Sequence, residues 1–309
     1  MRVVVALGGN AISERGALGT IGEQRAAIGR ACEGIAAIAA EGAELVLTHG
    51  NGPQVGRLIL ADEALADLEP RFPLDVHVAS TQGLLGYLLQ QQLGPALRRA
   101  RAPRPVVTLI TQVIVDESDP AFEHPSKPVG PYLSAKGAAE YRARSIPIAE
   151  ASGGGWRRVV ASPEPLEVVE VAAIRAALDA GHVLIVAGGG GIPVARGTDG
   201  LSGVAAVIDK DATAALVTLA IDADLLMILT DVDGVYARFG ADDAERIEHL
   251  PASDAHAGIQ DGTFPRGSMA EKVLACAKVA EAGARAVICS LGDARAALRG
   301  RAGTRFGRW

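Results

Sequence analysis

Short apolar runs alternate along this chain with longer stretches whose apolar residues recur every three or four positions. Val3 to Leu7, Leu45 to Leu47, Val106 to Ile110, Val183 to Val186, Leu225 to Leu229 and Ala286 to Cys289 are short and almost wholly apolar. That pattern predicts strands buried on both faces, as in a parallel sheet. Between the first two runs, Ile28, Ala31, Ile35 and Ile38 fall at helical spacing. Val78, Leu84, Leu85, Leu88 and Leu89 do the same over 75–93, and that stripe reads as core. Further helices are expected from Pro165 to Ala180, after Asp209-Lys210-Asp211, and from Ser268 to about Ala282, where Ser268 and Glu271 have capping-box spacing. Strand and helix alternation of this kind is an α/β pattern.

The strands empty into polar, glycine-bearing loops at what should be one edge of the sheet, where open α/β sheets bind their ligands. The first ends in Gly8-Gly9-Asn10, the second in Thr48-His49-Gly50-Asn51-Gly52-Pro53, and the Val183 run in Gly188 to Gly191. Glycines there let backbone N–H groups approach a phosphate, and the tetraglycine reads as a phosphate cradle. His49 between a strand and a turn reads as structural. The Leu225 run leads to Thr230-Asp231-Val232-Asp233-Gly234-Val235-Tyr236, which lacks the ligand spacing of an EF-hand and reads as another loop at the ligand edge. Lys210 stands in the first turn of a helix capped by Asp209 or Asp211, against the macrodipole, and Lys272 repeats the situation. A cation so placed makes sense when it reaches past the helix end to an anion. From Asp116 to about Ser162 turn formers dominate, which predicts a lid-like excursion carrying Lys127 between Ser126 and Pro128.

Composition narrows the chemistry. The 309 residues are 49% hydrophobic but only 4% aromatic, and a net charge of −6 argues against nucleic acid or an anionic membrane as the main partner. Three cysteines without metal-ligand spacing suggest neither a disulfide framework nor a zinc site, and fit a reducing cytoplasm. No apolar run reaches membrane-spanning length.

Together the motifs resemble the carbamate kinases of the amino acid kinase family. The resemblance runs through Ala6 to Ala11, Thr48 to Gly56, Asp119 to Phe122, Pro125 to Pro128, Gly188 to Val194, Val207 to Asp211, Thr230 to Tyr236 and Gly267 to Met269. It implies a three-layer αβα sandwich with an open, mainly parallel central sheet and a small protruding subdomain. An N-terminal lobe (1–210) would bind the acceptor, with the excursion at about 116–162, and a C-terminal lobe (211–309) would bind ATP. It also implies a cytoplasmic homodimer, Mg²⁺ carried on ATP or ADP rather than held by the protein, and carbamate or carbamoyl phosphate as the small substrate. The expected use is ATP synthesis in arginine or related nitrogen catabolism. Ser126, Ala205 and the pair Ala270-Glu271 depart from the family pattern, the last standing where Gly-Pro is frequent.

Phosphoryl transfer asks mainly for alignment and charge neutralisation. The resemblance assigns Lys210 and Lys272 to the transferring group, Lys127 to the lid side, and Asp211 to organising the lysines, with Asp209 as fallback. Two ammonium groups about 6 Å apart repel by roughly 3 kcal/mol at an effective dielectric near 20, which such an acid relieves. Gly8, Gly9, Asn10, Gly50, Asn51, Gly189 and Gly190 would line the acceptor. Asp209, Thr230, Asp231, Val235, Tyr236 and Met269 would meet the nucleotide. Carbamate is already anionic, so no general base is needed. An acetylglutamate kinase-like enzyme and a non-catalytic anion sensor on the same scaffold are the alternatives. The absence of a lysine just before Gly8 and the insert around Lys127 weigh against the first, and the retention of three lysines with Asp211 against the second.

Overall fold

The apolar runs come together in one seven-stranded sheet. From edge to edge its strands are Thr304–Phe306, Arg285–Ser290, Leu225–Thr230, Arg2–Leu7, Glu44–His49, Val183–Ile185 and Val106–Thr108. Every neighbouring pair is parallel except the first, which is antiparallel. These relations come from a computed structural model that describes residues 1–9, 12, 19–65, 67–68, 70–150, 154–239, 243–264 and 267–309.

Strand alternation divides the core in two. Val4 and Ala6 point to a layer with Val46, Leu226, Ile228 and Ile288, closed by helices Val171–Asp179, Lys210–Ala220 and Ser268–Glu281. Val3, Val5 and Leu7 point the other way, to Leu45, Leu47, Met227 and Leu229 beneath helices Ile21–Ala40 and Leu74–Arg99. Helices on both faces of a mainly parallel sheet make the three-layer sandwich. From Arg2–Leu7 the chain runs to Glu44–His49 on one side, and after Val183–Ile185 it crosses to Leu225–Thr230 on the other, so the strand order reverses at Arg2–Leu7. Its C-terminal end is therefore a topological switch point, the place where open α/β sheets bind their ligands.

Several elements differ from expectation. The Leu74–Arg99 helix runs past the predicted end and contains Pro95. Its stripe is split: Val78, Leu85, Leu88 and Leu89 are buried, but Leu84 is exposed with Val76 and Tyr87. The glycines and proline after His49 open a helix, Gly52–Ala64, with proline in its first turn. The segment after Pro165 first makes a short strand, Glu167–Val168, and its helix begins only at Val171. The C-terminal stretch from Arg295, rich in arginine, supplies the edge strand Thr304–Phe306.

The excursion is a small antiparallel sheet, ordered Lys127–Leu133, Trp156–Val160, Ile148–Glu150, with helix Ala135–Ala143. It docks on Gly52–Ala64. A Cβ on Gly56 would lie 2.2 Å from Gly130 Cα, so the two backbones touch where neither carries a side chain. Arg157 donates to the Gly130 carbonyl at 2.6 Å, and Glu63 accepts from Tyr141 at 2.6 Å and from Arg158 at 2.8 Å. Among the described residues, no helix is long and apolar enough to cross a membrane.

Candidate active site

Asp209 ends the extended approach to helix Lys210–Ala220 and caps it, its Oδ1 accepting from the backbone N–H of Asp211 at 2.9 Å and of Ala212 at 3.0 Å. That cap fixes the next two side chains. Asp211, 1% exposed, accepts on one oxygen from Lys210 Nζ at 2.5 Å and on the other from Lys272 Nζ at 3.0 Å. The two predicted lysines thus meet on one carboxylate although their helices start 58 residues apart, at Lys210 and Ser268. Lys272 also donates to Ser268 Oγ at 2.8 Å and to the Ser268 carbonyl at 3.2 Å. The expected capping box is therefore absent. Gly267 occupies the cap position, and the Ser268 hydroxyl is taken up with Lys272.

Lys127 completes the cluster from the excursion, donating to Asp209 and, at 3.2 and 3.3 Å, to the two oxygens of Glu271. Oxygens of Asp209, Asp211 and Glu271 lie within 4.8 Å of one another. Hard oxygen donors of this kind suit a divalent cation, but each of these acids already faces an ammonium group. Burial lowers the Lys210 pKa; Asp211 pulls it back up, Lys272 pushes it further down, and the net shift is downward. At Lys127 burial also opposes the charge, but Asp209 and Glu271 outweigh it and the pKa is raised. Burial would raise Asp209, yet Lys127 and Lys210 hold it well below the ordinary carboxylate range. Glu271 goes the other way, raised by burial and by the Asp209 carboxylate against the pull of Lys127.

The glycine turns bring loops together more than they display N–H groups. Ala187 adopts a left-handed conformation (φ 49°) and leads into a tight turn at Gly188–Gly190. A Cβ there would strike His49 Nε2 at 2.4 Å from Gly188, Asn51 Nδ2 at 2.1 Å from Gly189 and the Ile208 carbonyl at 2.3 Å from Gly190. The turn therefore seats the His49-Asn51 loop beside the approach to Asp209, and the Lys210 stem lies over Gly50 at 3.3 Å from its would-be Cβ. The Gly190 and Gly191 N–H groups donate to the Ala187 and Gly188 carbonyls, and Gly8 N–H donates to Leu229 at 3.0 Å. This corrects the picture of an open phosphate cradle at those positions, since their donors are already used. Gly9 has open space around it, and Asn10 lies outside the described residues.

His49 is buried, with Nδ1 3.0 Å from the Gly50 carbonyl. A carbonyl only accepts, so Nδ1 carries the proton, and burial pushes the imidazole pKa down to about 4. It is a neutral packing residue. Three polar residues escaped the sequence reading: Thr81 accepts from Asn51 at 2.9 Å, Gln82 bonds Thr111 and Gly188, and Thr213 donates to the Gly190 carbonyl at 2.8 Å. Polar residues on an otherwise apolar helical stripe were the available signal for the first two.

The residues expected to meet a nucleotide lie at the end of strand Leu225–Thr230, in strand Val235–Ala237 and in the first turn of helix Ser268–Glu281. Thr230 ends its strand, its Cα 3.8 Å from the would-be Cβ of Gly8, and Asp231 follows. Val235 is buried in the core and donates its N–H to Thr304 at 2.8 Å, so its side chain is occupied in packing. Tyr236 donates to Asp233 at 2.8 Å, and Met269 sits partly buried one turn before Lys272.

An α/β sheet whose switch point carries lysines at two helix N-termini defines a phosphate-handling enzyme, and residues 1–290 match the amino acid kinase family, to which the chain belongs. Its relatives sharpen this. The chain is 43% identical over 307 residues, 98% of each chain, to the carbamate kinase of Pyrococcus horikoshii. A structure of carbamate kinase from Giardia lamblia bound to citric acid superposes with TM-score 0.93 at 39% identity, covering 99% of this chain and 97% of that one. The same Giardia enzyme bound to AMP-PNP superposes at 0.90 and 39% identity, covering 99% and 98%.

Proposed function

We propose that the chain catalyses reversible phosphoryl transfer between ATP and carbamate, giving ADP and carbamoyl phosphate. The observation that carries the mechanism is Asp211 held between Lys210 and Lys272. One carboxylate offsets part of the repulsion between two ammonium groups and aims both at the same space past the helix ends. In-line transfer spreads charge over the equatorial oxygens of the moving group, and donors fixed beforehand stabilise that charge without reorganising. Lys210 and Lys272 serve it, Lys127 closes from the excursion side, and Gly9, Gly50 and Asn51 border the carbamate.

ATP or ADP occupies the side formed by Thr230, Asp231, Tyr236 and Met269, and Mg²⁺ enters on the nucleotide as part of the substrate. The AMP-PNP complex of the Giardia relative supports a triphosphate in this fold. The exposed stripe Val76, Leu84 and Tyr87 on one helix is the proposed face for a second copy of the chain. Buried, unpaired Cys32, Cys276 and Cys289 accord with a reducing cytoplasm.

The test is to supply purified protein with ADP, Mg²⁺ and carbamoyl phosphate and follow ATP, with ATP plus N-acetylglutamate as the control pair. ATP is expected from the first pair and no acylphosphate from the second. Lys210→Ala and Lys272→Ala are each expected to lower turnover by about 10²- to 10³-fold, the loss typical of one transition-state charge donor, with circular dichroism unchanged. If both variants keep turnover within about threefold of the parent, neither ammonium group belongs to the mechanism.

A further inference from the structure

The proposed chemistry leaves one carboxylate in the cluster without a task. Asp209 caps a helix and Asp211 carries two lysines, whereas the described contacts of Glu271 are to Lys127 and its surroundings. Like the Lys127–Asp209 pair, the bond it makes ties the excursion to the rest of the molecule, here strand Lys127–Leu133 to helix Ser268–Glu281. Its side chain is 40% exposed, against 16% for Asp209 and 1% for Asp211, so it stands nearest the entrance. Three lysines face three carboxylates, so each amine already has an acid partner. An entering polyphosphate brings several negative charges and must find an ammonium to spare. The two acids on Lys127 are held unequally: the Asp209 contact is the shorter one, whereas both Glu271 oxygens stand back at 3.2 and 3.3 Å on a more exposed side chain, which makes Glu271 the easier partner to give up.

We infer that Glu271 is a displaceable clasp: it holds Lys127 across the mouth of the site, and a substrate phosphoryl group takes its place on that ammonium. Glu271 then acts through Lys127 as a positioning residue that sets anion affinity and takes no part in transfer. The inference rests on the role proposed for Lys127.

The experiment titrates Mg²⁺–AMP-PNP and, separately, inorganic phosphate into the parent, Glu271→Gln, Lys127→Ala and the double variant by calorimetry, with KM and kcat for carbamoyl phosphate measured in parallel. Removing the competing charge is expected to tighten both ligands and lower KM about fivefold, the scale of one partly exposed ion pair, while kcat stays within about threefold. In the Lys127→Ala background the gain disappears, because no ammonium remains to be released. Unchanged or weaker binding by Glu271→Gln overturns the clasp, and so does an equal gain with Lys127 absent. Absence of ATP formation by the parent would instead overturn the assigned reaction, leaving the two titrations to decide the clasp.

Discussion

Lys210 is the residue whose surroundings most constrain its chemistry. It is partly buried at a helix N-terminus with Lys272 on the far side of Asp211, and its pKa is lowered from the ordinary 10.5, by desolvation first. The charged form is the one that neutralises a phosphoryl group, so activity is lost as pH rises through this lowered value. In the free enzyme the alkaline limb of kcat/KM should therefore fall below the ordinary lysine range. In the complex, substrate anions favour the charged form, and the limb of kcat should lie higher. Lys210→Arg should remove the limb, since guanidinium does not titrate there. Profiles of kcat/KM that stay flat to pH 10.5 in the parent would exclude Lys210 as the controlling group. At this scale the sequence was informative where a residue contradicted its local setting: a lysine against a helix dipole is legible without a structure. The partners of Lys127 were not, since Asp209 and Glu271 lie 82 and 144 positions away. Ser268 misled because its spacing to Glu271 was sound, yet a lysine four residues on competed for the hydroxyl and Glu271 faced the excursion.

Among elements, the helix Gly52–Ala64 does two jobs that its glycines and proline concealed. It starts at Asn51 beside the tetraglycine turn, and at Gly56 it receives the excursion strand against Gly130. Gly56 has ordinary helical geometry, so alanine there would favour the isolated helix by up to about 1 kcal/mol. The added Cβ would nevertheless fall 2.4 Å from Gly130 N and 2.2 Å from its Cα, backbone atoms pinned by Arg157. The excursion must shift, and Lys127, three residues before Gly130, moves with it. Gly56→Ala should thus lower kcat/KM about tenfold or more, as small misplacements of catalytic groups do, while far-ultraviolet circular dichroism stays unchanged. Parent-like kinetics would mean that the excursion's seating does not govern Lys127. The strands were readable from their aliphatic runs because both faces are buried. Short helices in glycine-rich stretches were not, because their formation depends on tertiary contact more than on propensity.

For the whole molecule, the proposed acceptor and nucleotide sides divide near residue 210, but the sheet does not. Val3 to Leu7 pair in register with Leu225 to Leu229 from the second half and with Leu45 to His49 from the first. Both core layers also mix the halves, with Val4 against Leu226 and Ile288 on one face and Leu45 beside Met227 and Val287 on the other. Neither half can bury its sheet face alone: a fragment of residues 211–309 would expose the edge of Leu225–Thr230 that Arg2–Leu7 covers. The two proposed ligand sides therefore belong to one cooperative unit, and the switch point lies at the seam that joins the halves. Expressed separately, fragments 1–210 and 211–309 should lack sharp tertiary signals, and the whole chain should melt in one calorimetric transition that Mg²⁺–AMP-PNP moves upward as a single peak. Two resolved peaks, with the nucleotide analogue shifting only one of them, would mean instead that each side folds by itself and that the shared sheet contributes little coupling.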